Sequence, residues 1–244
     1  MQRPMGMPAV SVVMAVRNGE LYLRSAIASV LAQEYEPLEL LVVDGHSTDD
    51  TPMIAQSYSQ IRYIPQVNHG VTDAYNTGIT AARGEFVAFL SHDDLWTSDK
   101  LRSQLQYMVR FPELQYTVAR VKFFLELGLL PPPGFRRELL TGTHVAYILE
   151  TLVARKSTFA GVGGFNVEFG TASDVEWFAR AKDRGVPHAV IPKVLLHKRV
   201  HDRNISLNDA SSNHILLDVL RQSIQRKRDH QSPRNDASAP AHRT

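Results

Sequence analysis

The chain has 244 residues, 43% of them hydrophobic, enough to bury a substantial core as one large α/β domain. Its 27 Lys and Arg against 25 Asp and Glu give no global field that would select nucleic acid, so any basic site must be local. The absence of cysteine excludes a disulfide framework and a Cys-based zinc site. Residues 1–8 carry one Arg and no long apolar run, and no later segment is long and apolar enough to span a bilayer, so a cytoplasmic protein is expected.

Residues 10–16 form an apolar run rich in β-branched side chains and predict a buried strand. The Arg17-Asn18-Gly19 break then leads into a helix with Leu23, Ile27, Val30 and Leu31 on one face. A second buried strand over 38–43 ends at Asp44, and Thr51 is placed to cap the next helix with Pro52 in its first turn. Residues 62–65 read as a short strand, 72–82 as a helix, 85–90 as a strand and 98–110 as a helix. This alternation implies a parallel sheet covered by helices.

The regularity then breaks. Residues 116–130 have strand character, but Pro131-Pro132-Pro133-Gly134 belongs to neither a helix nor a central strand and reads as a mobile loop. A strand is expected over 149–155, a Gly-rich turn over 162–165, a helix over 174–184, and one or two strands over 189–200 interrupted at Pro192. Ile215, Leu216, Val219 and Leu220 recur at helical spacing, predicting a terminal amphipathic helix packed on the body. The polar stretch 226–244, with its Arg226-Lys227-Arg228 cluster, is expected to be disordered.

Four groups of residues carry chemistry. Asp93 and Asp94 follow directly on an apolar strand, and hard oxygen ligands of this kind suit Mg²⁺ or Mn²⁺ held together with phosphate oxygens. A helix-capping turn would use the same residues. In parallel α/β sheets, ligands sit beyond the carboxyl ends of strands. Ala15, Val16, Arg17, Asn18, Asp44, Ser91 and His92 should therefore line one crevice, with Asp44 accepting from a base N–H and Arg17 near phosphate. Asn76 opens toward a sugar or packs its helix on the sheet. Asp174 starts a helix and is placed to act as general base or simply as a cap. Arg199 and His201 alternate onto one face of a strand and suit a metal–diphosphate group. The segment continues through Ile205 and Ser206. No Gly-x-Gly-x-x-Gly follows the first strand, which argues against a dinucleotide oxidoreductase. Nor is there the Gly-rich, Arg-containing loop that a nucleotidyltransferase would need there.

Taken together, Val12-Val13-Met14-Ala15-Val16-Arg17-Asn18, Val42-Val43-Asp44-Gly45-His46-Ser47, Tyr75-Asn76-Thr77-Gly78, Phe89-Leu90-Ser91-His92-Asp93-Asp94, Val162-Gly163-Gly164-Phe165-Asn166, the helix opening at Asp174 and Arg199-Val200-His201 resemble the family 2 nucleotide-sugar-dependent glycosyltransferases. The resemblance covers roughly residues 8–206. It implies a GT-A fold: a mostly parallel Rossmann-like sheet flanked by helices, with a mixed, irregular C-terminal acceptor half.

One domain over 1–225 is then expected, with 8–112 binding the nucleotide sugar, 113–206 forming the acceptor half, 207–225 the terminal helix and 226–244 a polar tail. The resemblance implies inverting transfer from a nucleoside-diphosphate sugar, UDP-sugar foremost, to a glycan, lipid-linked or small-molecule acceptor, with Mg²⁺ or Mn²⁺ as cofactor. Asp174 would be the catalytic base, and Asp93, Asp94 and His201 the metal site of a DXD-type motif. Ala15, Val16, Arg17, Asn18, Asp44, Asn76, Ser91, His92, Asp93 and Arg199 would bind the donor. A catalytically silent scaffold of the same fold is the alternative reading, and the basic tail allows peripheral contact with the inner membrane face. Two positions depart from the family pattern: Ser91 replaces an acidic residue, and Ser173 replaces the Glu of a Glu-Asp pair. The loop 131–134, His144 and Tyr147 are expected on the acceptor side.

Overall fold

The computed structural model describes residues 8–204 and 212–231. Strands β1 (Val10–Val16), β2 (Leu38–Asp44), β3 (Ile61–Pro65) and β4 (Phe86–Phe89) run parallel, separated by helices α1 (Leu23–Leu31), α2 (Thr51–Gln56) and α3 (Val71–Ala81). β5 (Leu95–Trp96), α4 (Lys100–Arg110), β6 (Tyr116–Phe124) and the short β7 (His144–Val145) follow. A 3-10 turn at Leu149–Thr151 leads into β8 (Val153–Arg155), then α5 (Lys156–Val162), α6 (Ser173–Asp183), β9 (His188–Arg199) and α7 (Ser212–Gln231). The strand order is β3-β2-β1-β4-β8-β6-β9-β5, with β7 paired to β6.

β1 is buried along its whole length because helices cover both faces of the sheet, and this is why its sequence is a continuous apolar run instead of an alternating one. Val12 and Met14 face α1, α2 and α4 through Leu23, Ile27, Ile54, Leu101 and Leu105. Val13 and Ala15 face α3, α5 and α6 through Tyr75, Ile79, Phe159 and Trp177. α3 lies so close to β1 that a Cβ on Gly78 would fall 2.2 Å from Val13 Cγ1, so packing explains that glycine. Trp177 is fully buried, its ring 5.2 Å from Phe159 and 5.5 Å from Tyr116, and its indole N–H donates to Gly163 O.

Several boundaries move. Residues 149–155 are half turn and half strand, and 156–162, unassigned by periodicity, form α5. β9 stays one strand across Pro192 because the residues around it bulge: Ala119 pairs with Ile191 but Arg120 with Val194. α7 continues to Gln231, past the expected end of structure at 225, because Arg226 Nε donates to Asp183 Oδ2 at 2.9 Å and its guanidinium lies 3.4 Å from Glu176. Residues 232–244 lie outside the described residues. Among the residues of α7 whose burial is described, only Val219 is buried; Leu216, Leu217, Leu220 and Ile224 are exposed, so the apolar side of this helix packs back only in part. No described helix is long and apolar enough to cross a membrane.

Lys100 is fully buried, its ammonium on Gln104 Oε1 and 4.6 Å from the Trp96 ring centroid. Burial pushes it down to about 7, against the attraction of Glu150. The unfolded chain therefore binds more protons than the folded one between about pH 7 and the unfolded value near 10.5, and stability must rise with pH across that window. Urea unfolding should show wild-type stability climbing by up to about 1.4 kcal/mol per pH unit there, a slope that Lys100→Met removes. Parallel slopes for the two proteins would disprove the assignment.

Candidate active site

The topology decides which residues meet. β1, β2, β3 and β4 are parallel, β8 is antiparallel to both β4 and β6, and β9 is parallel to β6. The carboxyl ends of β1, β2, β4, β6 and β9 thus fall on one edge of the sheet. Asp44, Ser91, Asp93, Asp94, Arg199 and His201 are delivered there from distant parts of the chain. The reversed strand β8 enters at that same edge, and this brings in Glu150 from the turn before it.

Asp93 and His201 form the first pair, with His201 Nε2 3.0 Å from Asp93 Oδ2 and Asn204 Nδ2 at 3.2 Å from the same oxygen. Burial opposes ionisation of Asp93, but the hydrogen bond from His201 and the charges of His92 and Lys198 outweigh it and hold the carboxyl well below its ordinary range. Among the described residues, no three His, Asp or Glu side chains converge into a metal cage. One carboxylate and one imidazole do fit a cation that takes its remaining ligands from a diphosphate.

Asp94 is held differently from Asp93. Its side chain turns inward and is fully buried, with Oδ2 2.8 Å from Lys198 Nζ and Oδ1 accepting the Arg199 backbone N–H at 2.8 Å. Its two oxygens fix β9 against the post-β4 loop. Lys198 also donates to Glu150 Oε1 at 3.1 Å, and Ser91 Oγ donates to that same oxygen at 2.5 Å. Asp94, Glu150 and Asp93 hold the Lys198 ammonium well above its ordinary value despite its burial.

Arg199 has extensive contacts within the protein. Its guanidinium is buried between Tyr22 and Phe124, at 4.4 and 4.8 Å from the ring centroids, pairs with Glu126, and donates from Nε to Asp93 O at 2.8 Å. It anchors the backbone of Asp93 from within the wall of the site. Asn76 fits the packing alternative: its amide clamps both backbone groups of Phe165, at 2.8 and 2.9 Å, and so locks α3 to the Gly163-Gly164 turn.

Asp174 is the second residue of α6 and is half-buried, its Oδ1 accepting the Val175 N–H at 2.7 Å. Burial, reinforced by the charge of Glu150, pushes its carboxyl up to about 7 against that hydrogen bond. The helix start is fixed by Thr72, whose Oγ1 donates to Gly170 O and lies 3.2 Å from Ser173 Oγ.

On the other side, the loops after β1 and β2 are laced together. Gly45 N donates to Val16 O, Asn18 N to Ser47 Oγ, and Thr48 N to Asn18 Oδ1. Asn18 sits at φ 52° to make this exchange. Asp44 is buried, with Oδ1 accepting from the Ser47 backbone and hydroxyl and Oδ2 from the Tyr63 hydroxyl, which leaves one lone pair on Oδ2 for a ligand N–H. Ala15 is buried and Arg17 exposed. The His92 ring lies so close to Gly19 that a Cβ there would be 2.6 Å from its Cδ2. His144 Nε2 meets Leu139 O at 3.0 Å and Tyr147 OH meets His188 Nε2 at 3.2 Å; Leu127 and Leu130, flanking the Pro131 turn, are exposed.

Sequence reasoning missed Glu150 and Lys198. Glu150 stands between Ile148-Leu149 and Leu152-Val153, where an isolated charge must find a partner, whereas Lys198 lies in the polar triplet His197-Lys198-Arg199. The signal at Glu150 was present but did not say which partner.

Known proteins agree with this architecture. An uncharacterised glycosyltransferase of Rickettsia typhi is 42% identical over 102 residues, 41% of this chain and 32% of that protein. One of Haemophilus influenzae is 35% identical over 111 residues, 43% of this chain and 44% of that protein. The chain thus matches less than half the length of these relatives.

Among solved structures, S. aureus TarS 1–349 in complex with UDP-GlcNAc superposes with a TM-score of 0.70 at 19% identity, covering 89% of this chain and 66% of that one. The mannosyltransferase PcManGT from Pyrobaculum calidifontis, in complex with GDP-Man and Mn²⁺, gives 0.70 at 20% identity, covering 91% and 65%. The fold is that of the GT-A glycosyltransferases. The model of glycosyl transferase family 2 matches residues 11–167, well over half of the sequence and inclusive of β1 to α5 and the whole Asp93 loop, and the chain belongs to that family.

Proposed function

We propose that this chain transfers a sugar from a nucleoside-diphosphate sugar, UDP-sugar foremost, to a hydroxyl acceptor in cell-surface polysaccharide, glycolipid or secondary-metabolite synthesis, with inversion at the anomeric carbon. Two observations support the reading: the Asp93–His201 pair, and Asp174, a carboxyl at about 7 that feels the same Lys198 charge as Asp93 does. A base with that affinity for protons is about half ionised at neutral pH and strong enough to accept a proton from the acceptor.

In the proposed reaction, Asp174 takes the acceptor hydroxyl's proton while the oxygen attacks the anomeric carbon, and the bond from that carbon to the diphosphate oxygen breaks. Asp93 and His201 would hold Mg²⁺ or Mn²⁺, which when bound neutralises charge on the departing diphosphate. Asp44 and the laced loops after β1 and β2 would hold the nucleoside, with Asp44 Oδ2 accepting from the base. Arg199 keeps Asp93 in place by gripping its carbonyl.

Calorimetric titration with UDP, GDP and dTDP, each with Mn²⁺ and then with EDTA, tests this. One nucleotide should bind only with Mn²⁺, and Asp93→Asn should weaken it by at least tenfold. Failure of the wild-type protein to bind any of the three would overturn the reading in favour of a silent scaffold.

A further inference from the structure

The structure assigns Glu150 as a second ligand-reading carboxylate of this site, one whose free oxygen takes a sugar hydroxyl and so helps select the substrate. The inference rests on the proposed glycosyl transfer and adds to it a specificity-determining residue. Three observations support it. Glu150 is buried, yet it sits in the turn that enters β8, and the reversal of that strand places it on the edge where Asp93, Asp94 and His201 gather. Its side chain is held rigidly: Ser91 Oγ and Lys198 Nζ both bond to Oε1, and Trp96 Nε1 donates to its backbone carbonyl at 3.0 Å. Both side-chain bonds fall on one oxygen, so Oε2 keeps its lone pairs for a donor that the protein does not supply among the described residues.

The chemistry of that donor follows from the surroundings. The Lys198 ammonium already pairs with Asp94 and Glu150, so a cationic ligand is not called for. A neutral O–H group satisfies Oε2 without adding charge, and an analogue lacking that hydroxyl forfeits a charge-assisted hydrogen bond there. Hydroxyl-bearing pyranoses are that class of ligand, and both donor sugar and acceptor present such groups. Glu150 also bears on Asp174, whose proton affinity its charge raises, so the two carboxylates share one neighbourhood.

The test compares wild type, Glu150→Gln and Glu150→Ala, with thermal melts to establish folding; the Gln side chain keeps an oxygen for Ser91 and Lys198. Calorimetry with UDP or GDP and Mn²⁺, whichever binds, should give affinities within twofold of wild type for all three proteins. UDP-glucose, UDP-GlcNAc and GDP-mannose are then titrated, followed by deoxy analogues of the one that binds.

If Glu150 reads the donor, Glu150→Ala lowers affinity for the nucleotide sugar by tenfold or more, and the loss disappears with the deoxy analogue that lacks the contacted hydroxyl. If it reads the acceptor, donor affinity and donor hydrolysis stay unchanged while acceptor KM rises tenfold or more at constant kcat. Folded variants with donor affinities and acceptor KM all within twofold of wild type would overturn the assignment while leaving the proposed function intact. Absence of nucleotide binding by the wild type would instead overturn the function on which it rests.

Discussion

Asp174→Asn is expected to lower transfer by roughly 10²- to 10⁴-fold, the usual worth of a positioned general base, with nucleotide affinity within a few-fold of wild type. The substitution is nearly isosteric and its Oδ1 can still accept the Val175 N–H, so geometry is retained and only the proton acceptor is lost. Wild-type kcat/KM should fall as pH drops through about 7, where the Asp174 carboxylate protonates.

The same carboxyl makes a stability prediction of opposite sign. Because the folded state holds its proton up to about pH 7 while the unfolded chain releases it near 3.8, the folded state binds more protons in that window and stability falls as pH rises through it. Asp174→Asn should therefore be stabilising at pH 8, by roughly 1–3 kcal/mol after allowing for partial exposure, and nearly neutral at pH 4. Turnover and melting temperature measured on one preparation decide the matter. Full activity in the Asn variant removes Asp174 from the mechanism, and a loss of stability at pH 8 removes the account of its burial.

Asp94→Ala should behave quite differently, costing about 3 kcal/mol of folding stability because it strips the half-buried Lys198 of its closest partner and leaves the Arg199 N–H unbonded. Glu150, at 3.1 Å from Lys198, offsets part of that cost. Asp94→Ala combined with Lys198→Met should recover much of the loss, since the second change removes the orphaned charge. Urea unfolding of the two single variants and the double variant measures this coupling. Should Asp94→Ala unfold like wild type and lose only Mn²⁺-dependent nucleotide binding, the residue would be a metal ligand after all, as the sequence motif alone implied.

The contrast between these two aspartates shows how far a linear motif reaches. Asp93 and Asp94 are adjacent and chemically identical, and the sequence offers no reason to separate them. In the fold, Asp93 meets His201 and Asp94 meets Lys198. Arg199 and Asn76 show the same limit. Each is a polar residue next to the site, but a burial environment absent from the sequence turns Arg199 onto Tyr22, Phe124 and the Asp93 carbonyl, and Asn76 onto the Phe165 backbone.

Periodicity and composition by themselves determined the parallel half of the sheet, the helices over it and the loops where ligands gather. Continuous apolar runs, helical spacing and strand-end carboxylates are local properties of the chain, legible residue by residue. Only the tertiary structure decided how the second half reverses at β8, and with it the arrival of Glu150 beside Ser91 and Lys198. Strand direction and side-chain pairing are set by packing between segments tens of residues apart, and a buried charge in a linear sequence announces only that a partner exists, not which one.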